Sequence, residues 1–150
     1  REAAPHHPFD DMGTLSDLPR LLPQADVVCS VLPSTTQTAG IGDQASFDTM
    51  RDGAYFANAG RGDLVDQRAL VEALASGHLS GAALDVCTPE PLPAESPLWD
   101  APNLLLTPHI SGQMSLGYTR DRNVALFCED LERYGRGEKP TRLVDRRIGY

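Results

Sequence analysis

Four short apolar runs recur along the chain, and their spacing predicts how it folds. They cover residues 25–32, 53–58, 81–86 and 103–107. Gly, Pro or Asn marks at least one end of each run. Runs of this length and composition are typical of strands buried in a parallel sheet. The chain is therefore predicted to contain four β-strands.

Segments with helical periodicity lie between and after these runs. They cover residues 15–24, 44–50, 66–76 and 115–134. Thr14 or Ser16 is the candidate N-cap of the first segment. Gly77 follows the third, and Gly135 and Gly137 close the fourth, as glycines often do at the ends of helices. Three of the four predicted helices thus have a recognisable start or stop.

Strands that alternate with helices are the signature of βαβ units. The order predicts an α/β fold with a Rossmann-like parallel sheet and helices on both faces. Residues 1–13 and 88–102 are rich in proline and are predicted to be loops. In such sheets ligands bind beyond the carboxyl ends of the strands, so candidate chemistry is sought there.

Polar side chains of useful types follow three of the predicted strands. Asn58 and Arg61 lie at or just beyond the end of the second strand, Asp85 and Glu90 at or beyond the end of the third, and His109 just beyond the fourth. Histidine can move a proton near neutral pH. The guanidinium of an arginine between two glycines offers a planar fork for a carboxylate. Since burial of an unpaired carboxylate costs free energy, the Asp85 carboxylate at the end of the third strand is expected to face the crevice.

Each of these residues also has a purely structural interpretation. His109 could cap a loop, Glu90 could be a solvated charge, Arg61 an ordinary turn residue and Asp85 a cap. The flanking Pro89 and Pro91 favour a directed Glu90 carboxylate, because proline stiffens the backbone. The convergence of three segments on one edge favours function over the structural alternatives.

Residues 40–45 fit the pattern G-x-G-x-x-A, which resembles a dinucleotide-binding fingerprint. That motif should follow a strand directly, whereas residues 33–39 separate this one from the first strand. Asp43 would also place a negative charge against a phosphate. We therefore do not interpret the motif as a phosphate loop.

Composition narrows the class of protein. The 13 Lys and Arg against 21 Asp and Glu give a net charge of −8, which disfavours nucleic acid as a partner. No apolar run approaches the ~18 residues of a membrane span, and no leader sequence is expected. Three widely spaced cysteines predict no disulfide framework and no metal site. A soluble cytoplasmic protein is expected.

Three stretches in order resemble one known family. They read NAGRGDLVDQRALVEAL, GHLSGAALDVCTPEPLPAESPLW and NLLLTPHISG. They resemble the C-terminal half of the cofactor domain of D-isomer-specific 2-hydroxyacid dehydrogenases, and the glyoxylate/hydroxypyruvate reductases in particular. The resemblance runs from about residue 26 to residue 112, and the closing helix and tail are also similar.

The resemblance implies hydride transfer between NAD or NADP and a 2-keto acid or D-2-hydroxy acid. Arg61 would bind the substrate carboxylate and polarise the carbonyl. His109 would donate the proton to the carbonyl oxygen in reduction and remove it in oxidation. Glu90 would hold His109 and keep it protonatable. A homodimer is also expected.

The resemblance also implies a set of cofactor contacts. Asp85 would hold the nicotinamide amide, and Ala59 would line the nicotinamide ring. The turn formed by His109, Ser111 and Gly112 would line the same ring. On the adenosine side, Leu32 and Pro33 would flank the cofactor. No metal ligand is implied.

By the same resemblance, residues 1–112 form the C-terminal part of the dinucleotide-binding domain. Residues 113–150 form a closing helix and a tail that returns towards the substrate domain. The N-terminal part of the fold is expected to be absent from this chain. Two departures stand out: Gly60 replaces the usual alanine, which predicts a looser turn, and Cys87 replaces an aromatic residue.

Two alternatives to an enzyme stay open at this point. A relative with the same fold could sense a cofactor and bind partner proteins, or the chain could be a catalytically incompetent fragment. If its strands are strands 3, 4, 5 and 6 of the order 3-2-1-4-5-6, the first has no neighbour here. Residues 1–150 alone would then neither fold cooperatively nor bind the cofactor.

Overall fold

The four predicted strands form one parallel sheet in chain order. The computed structural model describes residues 9–112, 116–145 and 147. The strands are β1 (Val27–Ser30), β2 (Tyr55–Asn58), β3 (Gly81–Leu84) and β4 (Leu104–Leu106), in the order β1-β2-β3-β4. Cys29 aligns with Ala57, Ala57 with Ala83, and Ala83 with Leu105. The α/β class and the Rossmann-like parallel sheet are confirmed.

The expected strand numbering is wrong. β1 pairs with β2 along its whole length, from Val27 opposite Tyr55 to Ser30 opposite Asn58. Consecutive neighbours of this kind follow one direction along the sheet, as strands 4, 5 and 6 do in the order 3-2-1-4-5-6, because each βαβ unit places its second strand beside its first. The first strand therefore has a partner in this chain, and the argument that residues 1–150 cannot fold alone loses its basis.

The helices begin and end close to the predicted positions. They are α1 (Leu18–Leu21), α2 (Gln44–Thr49), α3 (Gln67–Ala75) and α4 (Gly117–Gly135). Short 3-10 turns extend α1 on both sides, at Leu15–Asp17 and Leu22–Gln24. Thr14 is the N-cap of this composite segment, and its backbone N–H donates to Asp17 Oδ2 at 2.8 Å.

One face of the sheet carries the core. Phe56 of β2 and Leu84 of β3 point into it, and the Phe56 ring meets Phe47 of α2 edge to face at 5.2 Å. From α3, Leu70 and Leu74 are buried against the same cluster. The apolar stripe predicted for the third helix is therefore the stripe that packs on the sheet.

The opposite face of the sheet carries exposed apolar side chains. Val27, Tyr55 and Leu105, which alternate with the core residues, are 57%, 53% and 62% exposed. Within residues 9–108 the helices pack against one face of the sheet, so the predicted helices on the other face stay a prediction.

The chain divides into two compact units, Arg1–Pro108 and His109–Tyr150. In the second unit, residues 140–143 lie beside α4, and Asp130 Oδ1 accepts the Thr141 backbone N–H at 2.8 Å. Arg142 Nη2 also donates to Glu129 Oε2 at 2.7 Å. The predicted domain boundary after residue 112 stays a prediction. No described helix is both long and apolar enough to cross a membrane.

Several sequence predictions lie outside the described residues. They concern the loop at residues 1–8, the start of the last helix at residues 113–115, and the tail at residues 146 and 148–150. The rest of the chain positions the candidate site.

Candidate active site at the carboxyl edge of the sheet

The loops that follow β1, β2 and β3 touch each other through their backbones. A Cβ atom on Gly60 would lie 2.5 Å from Leu32 O and 2.9 Å from Leu32 N. One on Gly62 would lie 2.0 Å from Cys87 O. Because backbone cannot move aside as a flexible side chain can, both positions require glycine. The looser turn predicted at Gly60 is wrong: the missing side chain is the space that Leu32 fills.

Arg61 lies between these two glycines. Its backbone is extended, with φ −141° and ψ 148°, and its side chain is exposed. Arg61 Nη1 donates to Gly60 O at 2.7 Å. The structure thus places a permanent positive charge at the carboxyl edge of the sheet. Its role in binding a carboxylate stays a prediction.

Asn58 fixes the loop that carries Arg61. Only 1% of Asn58 is exposed, its Oδ1 accepts the Gly60 N–H at 3.0 Å, and its Nδ2 donates to Arg61 O at 2.8 Å. The sequence indicates only that Asn58 is a polar residue at a strand end, and it assigns this residue no function. A lone asparagine closing an apolar strand before G-R-G is the signal that could have indicated one, since a buried amide needs partners.

Asp85 directly follows β3 and is 8% exposed. Its Oδ1 accepts a hydrogen bond from the Thr107 hydroxyl at 2.5 Å, and its backbone N–H donates to Asn58 O at 3.0 Å. The carboxylate is therefore buried with a partner, which offsets the cost of removing it from water. The bond between Thr107 and Asp85 also ties the end of β3 to the end of β4.

Glu90 stands in a loop that is held at several points. Glu90 Oε1 accepts the Cys87 N–H at 2.9 Å. Gln67, the first residue of α3, donates through Nε2 to Thr88 O at 2.6 Å and accepts the Thr88 N–H at 3.2 Å. Burial, and then the nearby negative charge of Glu90, raise the pKa of the Cys87 thiol. The Glu90 carboxylate is thus directed, as its flanking prolines predicted.

The predicted cofactor residues of the first unit follow β1 and β2. Leu32 is half-buried against the core, whereas Pro33 and Ala59 are exposed. Pro33 O accepts the Thr38 hydroxyl at 2.6 Å, and the Ala59 N–H donates to Ser30 O at 2.9 Å. The structure therefore brings Leu32, Ala59 and Arg61 to neighbouring strand ends.

His109, Ser111 and Gly112 belong to the second unit, and all three are exposed. His109 has φ +53°, which lies in the left-handed region. This conformation is unfavourable for any residue that has a Cβ atom. Strained backbone of this kind clusters at functional sites, which supports a role for His109. The roles of these three residues stay predictions.

The G-x-G-x-x-A segment serves the fold. Gly42 forms a parallel bridge with Val65, and Asp43 caps α2 by accepting the Ser46 N–H at 2.9 Å. Its hydrogen bonds to Ser46 lower the pKa of Asp43 below its ordinary value, so a negative charge occupies this helix N-terminus. A phosphate would be repelled there.

An apolar groove of about 290 Å³ lies between the α1 segment, β1 and α2. Leu18, Val28, Phe47 and Met50 line it, and Arg61, Asp85 and Glu90 do not. The groove meets the polar edge at Leu32, which also lines it.

Comparison with known proteins decides the family. Residues 1–111 match the family model of the D-isomer specific 2-hydroxyacid dehydrogenase, NAD binding domain. The chain belongs to this family. The resemblance inferred from the three sequence stretches is confirmed.

Two curated 2-hydroxyacid dehydrogenase relatives share this region. A glyoxylate/hydroxypyruvate reductase A from Enterobacter is 38% identical over 135 residues, which are 89% of this chain and 42% of that protein. Another, from Salmonella choleraesuis, is 42% identical over 135 residues, which are again 89% of this chain and 42% of that protein. The chain thus spans less than half the length of these relatives.

Two solved structures of the family share the fold. One is a D-isomer specific 2-hydroxyacid dehydrogenase from Xanthobacter autotrophicus in complex with NADPH and MES. It superposes with a TM-score of 0.79 at 38% identity, and the matched region covers 91% of this chain and 55% of that chain. The other is an NADPH-dependent glyoxylate/hydroxypyruvate reductase from Sinorhizobium meliloti in complex with NADP and sulfate. Its TM-score is also 0.79, at 32% identity, and the matched region covers 90% of this chain and 43% of that chain.

Proposed function

We propose that the whole protein transfers a hydride between a nicotinamide cofactor and a small 2-keto or D-2-hydroxy acid. The observation that carries this proposal is the polar edge of the sheet. There Arg61, Asp85 and the Glu90 loop follow adjacent strands of an NAD-binding domain. This edge is where ligands bind in open α/β sheets.

The residues at this edge suit a dinucleotide. Leu32 and Pro33 would flank the adenosine, and Ala59 would line the nicotinamide ring together with Ser111 and Gly112. The buried Asp85 carboxylate can accept a hydrogen bond from the nicotinamide amide, as a fixed acceptor at the base of the edge. When bound, the cofactor supplies the hydride in reduction and accepts it in oxidation.

Arg61 would bind the carboxylate of the keto acid. A guanidinium offers two parallel N–H donors, which match the two oxygens of a carboxylate. A substrate held at that end presents its neighbouring carbonyl in one orientation, and the positive charge polarises it.

His109 would complete the proton transfer. In reduction its imidazolium gives a proton to the carbonyl oxygen, and in oxidation the neutral ring takes the hydroxyl proton. Glu90 would favour the protonated ring, because a carboxylate stabilises a neighbouring positive charge.

The names of the relatives suggest the substrate and cofactor. We infer glyoxylate or hydroxypyruvate as the substrate, from the two reductases that share 38% and 42% identity. We infer NADP rather than NAD, because NADPH and NADP occupy two of the structural neighbours. A cytoplasmic homodimer belongs to the same proposal.

The test is a turnover assay on the whole protein. NADPH, and NADH in parallel, is mixed with glyoxylate or hydroxypyruvate, and the loss of reduced-cofactor absorbance is followed. We expect oxidation of the cofactor that depends on the keto acid and is faster with NADPH. Tight cofactor binding without turnover would contradict the proposal and indicate a cofactor-sensing protein.

A further inference from the structure

The strongest unassigned feature of the polar edge is the Asn58 side chain. Its amide bonds two backbone groups that flank one peptide unit, the Gly60 N–H at 3.0 Å and the Arg61 C=O at 2.8 Å. Fixing groups on both sides of this unit fixes the direction in which the Arg61 side chain leaves the backbone.

Backbone contacts also hold this loop: Arg61 O accepts the Leu64 N–H at 3.3 Å, and the Ala59 N–H donates to Ser30 O at 2.9 Å. The Asn58 side chain adds one bond on each side of the 60–61 peptide. Gly60 and Gly62 contribute no side chains, and the space beside them is filled by the backbones of Leu32 and Cys87. The Arg61 side chain is exposed, and Nη1 donates to Gly60 O at 2.7 Å, the carbonyl of the same 60–61 peptide. How often its guanidinium faces a substrate therefore depends on how firmly its backbone is held.

We propose that Asn58 is the positioning residue for Arg61. It touches neither substrate nor cofactor, and it acts by holding the 60–61 peptide so that the guanidinium meets the keto-acid carboxylate. This inference rests on the proposed function of Arg61.

Asn58 has a second link that makes a clean test possible. Its backbone carbonyl, not its side chain, accepts the Asp85 N–H at 3.0 Å. A side-chain substitution therefore removes the support of Arg61 and leaves this link to the cofactor side in place. A substitution of the Asn58 side chain should therefore weaken keto-acid binding and leave cofactor binding nearly unchanged.

The experiment is a double-mutant cycle in the whole protein with Asn58→Ala, Arg61→Ala and the double variant. We measure kcat and KM for glyoxylate, and the Kd of NADPH by fluorescence. Asn58→Ala should lower kcat/KM by about 10-fold or more, mainly through KM, with the NADPH Kd changed by less than about 3-fold. In the Arg61→Ala background the same substitution should change kcat/KM by less than about 3-fold, because its target is gone.

Asn58→Ser is the second variant, for the case in which the alanine protein does not fold. A hydroxyl can both donate and accept, but the single serine oxygen lies closer to the backbone and cannot occupy both the Oδ1 and the Nδ2 positions of asparagine. This variant should therefore show a smaller loss than alanine, with the same dependence on Arg61. Asp43→Ala is the matched control. It removes a helix N-cap away from the Arg61 loop, so it should lower the melting temperature and keep the KM for glyoxylate.

The outcomes separate the two claims. An equal loss from Asn58→Ala with and without Arg61 would overturn the positioning role alone. If Arg61→Ala itself keeps kcat/KM within about 10-fold, the proposed role of Arg61 fails, and the inference fails with it. A rise in the NADPH Kd equal to the rise in KM would show that Asn58 supports the whole edge rather than Arg61.

Discussion

At the scale of single residues, the polar edge combines charges of two kinds. Asp85 is buried and bonded to Thr107, whereas Arg61 is exposed on a loop whose backbone is fixed. A buried, partnered carboxylate suits a fixed part of a ligand, and an exposed fork suits a substrate that enters and leaves. The two residues therefore match the different roles proposed for them.

Cys87 reports the charge of Glu90. Burial, and then the Glu90 carboxylate, raise the Cys87 pKa, so we expect little thiolate at neutral pH and slow alkylation. Glu90→Gln removes the charge, lowers that pKa and should speed alkylation of Cys87, measured by mass spectrometry after a pulse of iodoacetamide. The exposed Cys29 is the internal control, and its rate should stay the same. An unchanged Cys87 rate would contradict the pairing with Glu90.

The same Glu90→Gln variant tests the predicted partnership with His109. In the proposed mechanism the His109 ring must be protonated in reduction, and Glu90 is proposed to favour that form, so removal of the Glu90 charge should disfavour it. The alkaline limb of the pH–rate profile for glyoxylate reduction should therefore move to lower pH. A profile that coincides with that of the unsubstituted protein would show that Glu90 does not act on the proton donor.

At the scale of elements, the glycines around Arg61 are required by contact. Gly62→Ala places a methyl group against the Cys87 backbone, with 2.0 Å and 2.1 Å to its O and C atoms. We expect a loss of about 1–3 kcal/mol in the free energy of unfolding, as for other overpacked sites. Gly135→Ala in α4, where nothing lies within 4 Å, is the control and should cost no stability. Urea unfolding measures both, and equal midpoints would contradict the close approach.

Prediction of the elements succeeded where local signals were present. The segments that became α2 and α3 begin at Asp43 and Asp66, both of which accept backbone N–H groups as N-caps. The 3-10 turn at Pro97–Asp100 lies in a segment predicted to be a loop. Its N-cap Ser96, followed by proline, is a start signal that the proline-rich context obscured.

At the scale of the whole molecule, the sequence was less informative. Strand pairing joins residues far apart in the chain, and an apolar run carries no mark of its neighbour. The position of β1 beside β2 was therefore predicted wrongly, although both strands were predicted. The tight contact of Gly60 with Leu32 escaped prediction for the same reason, since it depends on how two strand ends meet.

The positions of Arg61, Asp85 and Glu90 at one edge followed from a simpler rule. Each comes directly or shortly after a strand, and parallel strands end at the same side of the sheet. The supporting bonds of Asn58, Gln67 and Thr107 could not be predicted, because they depend on the backbone geometry of the loops.

The central claim is that a whole protein of this family recognises a 2-keto acid through Arg61. The most direct measurement compares kcat/KM for glyoxylate and for glycolaldehyde, which lacks the carboxylate, in the unsubstituted protein and in Arg61→Lys. Lysine keeps the charge but loses the fork, so we predict that kcat/KM for glyoxylate falls at least ~10-fold, or about 1.4 kcal/mol, with little change for glycolaldehyde. A smaller fall for glyoxylate, or an equal fall for both substrates, would contradict the account.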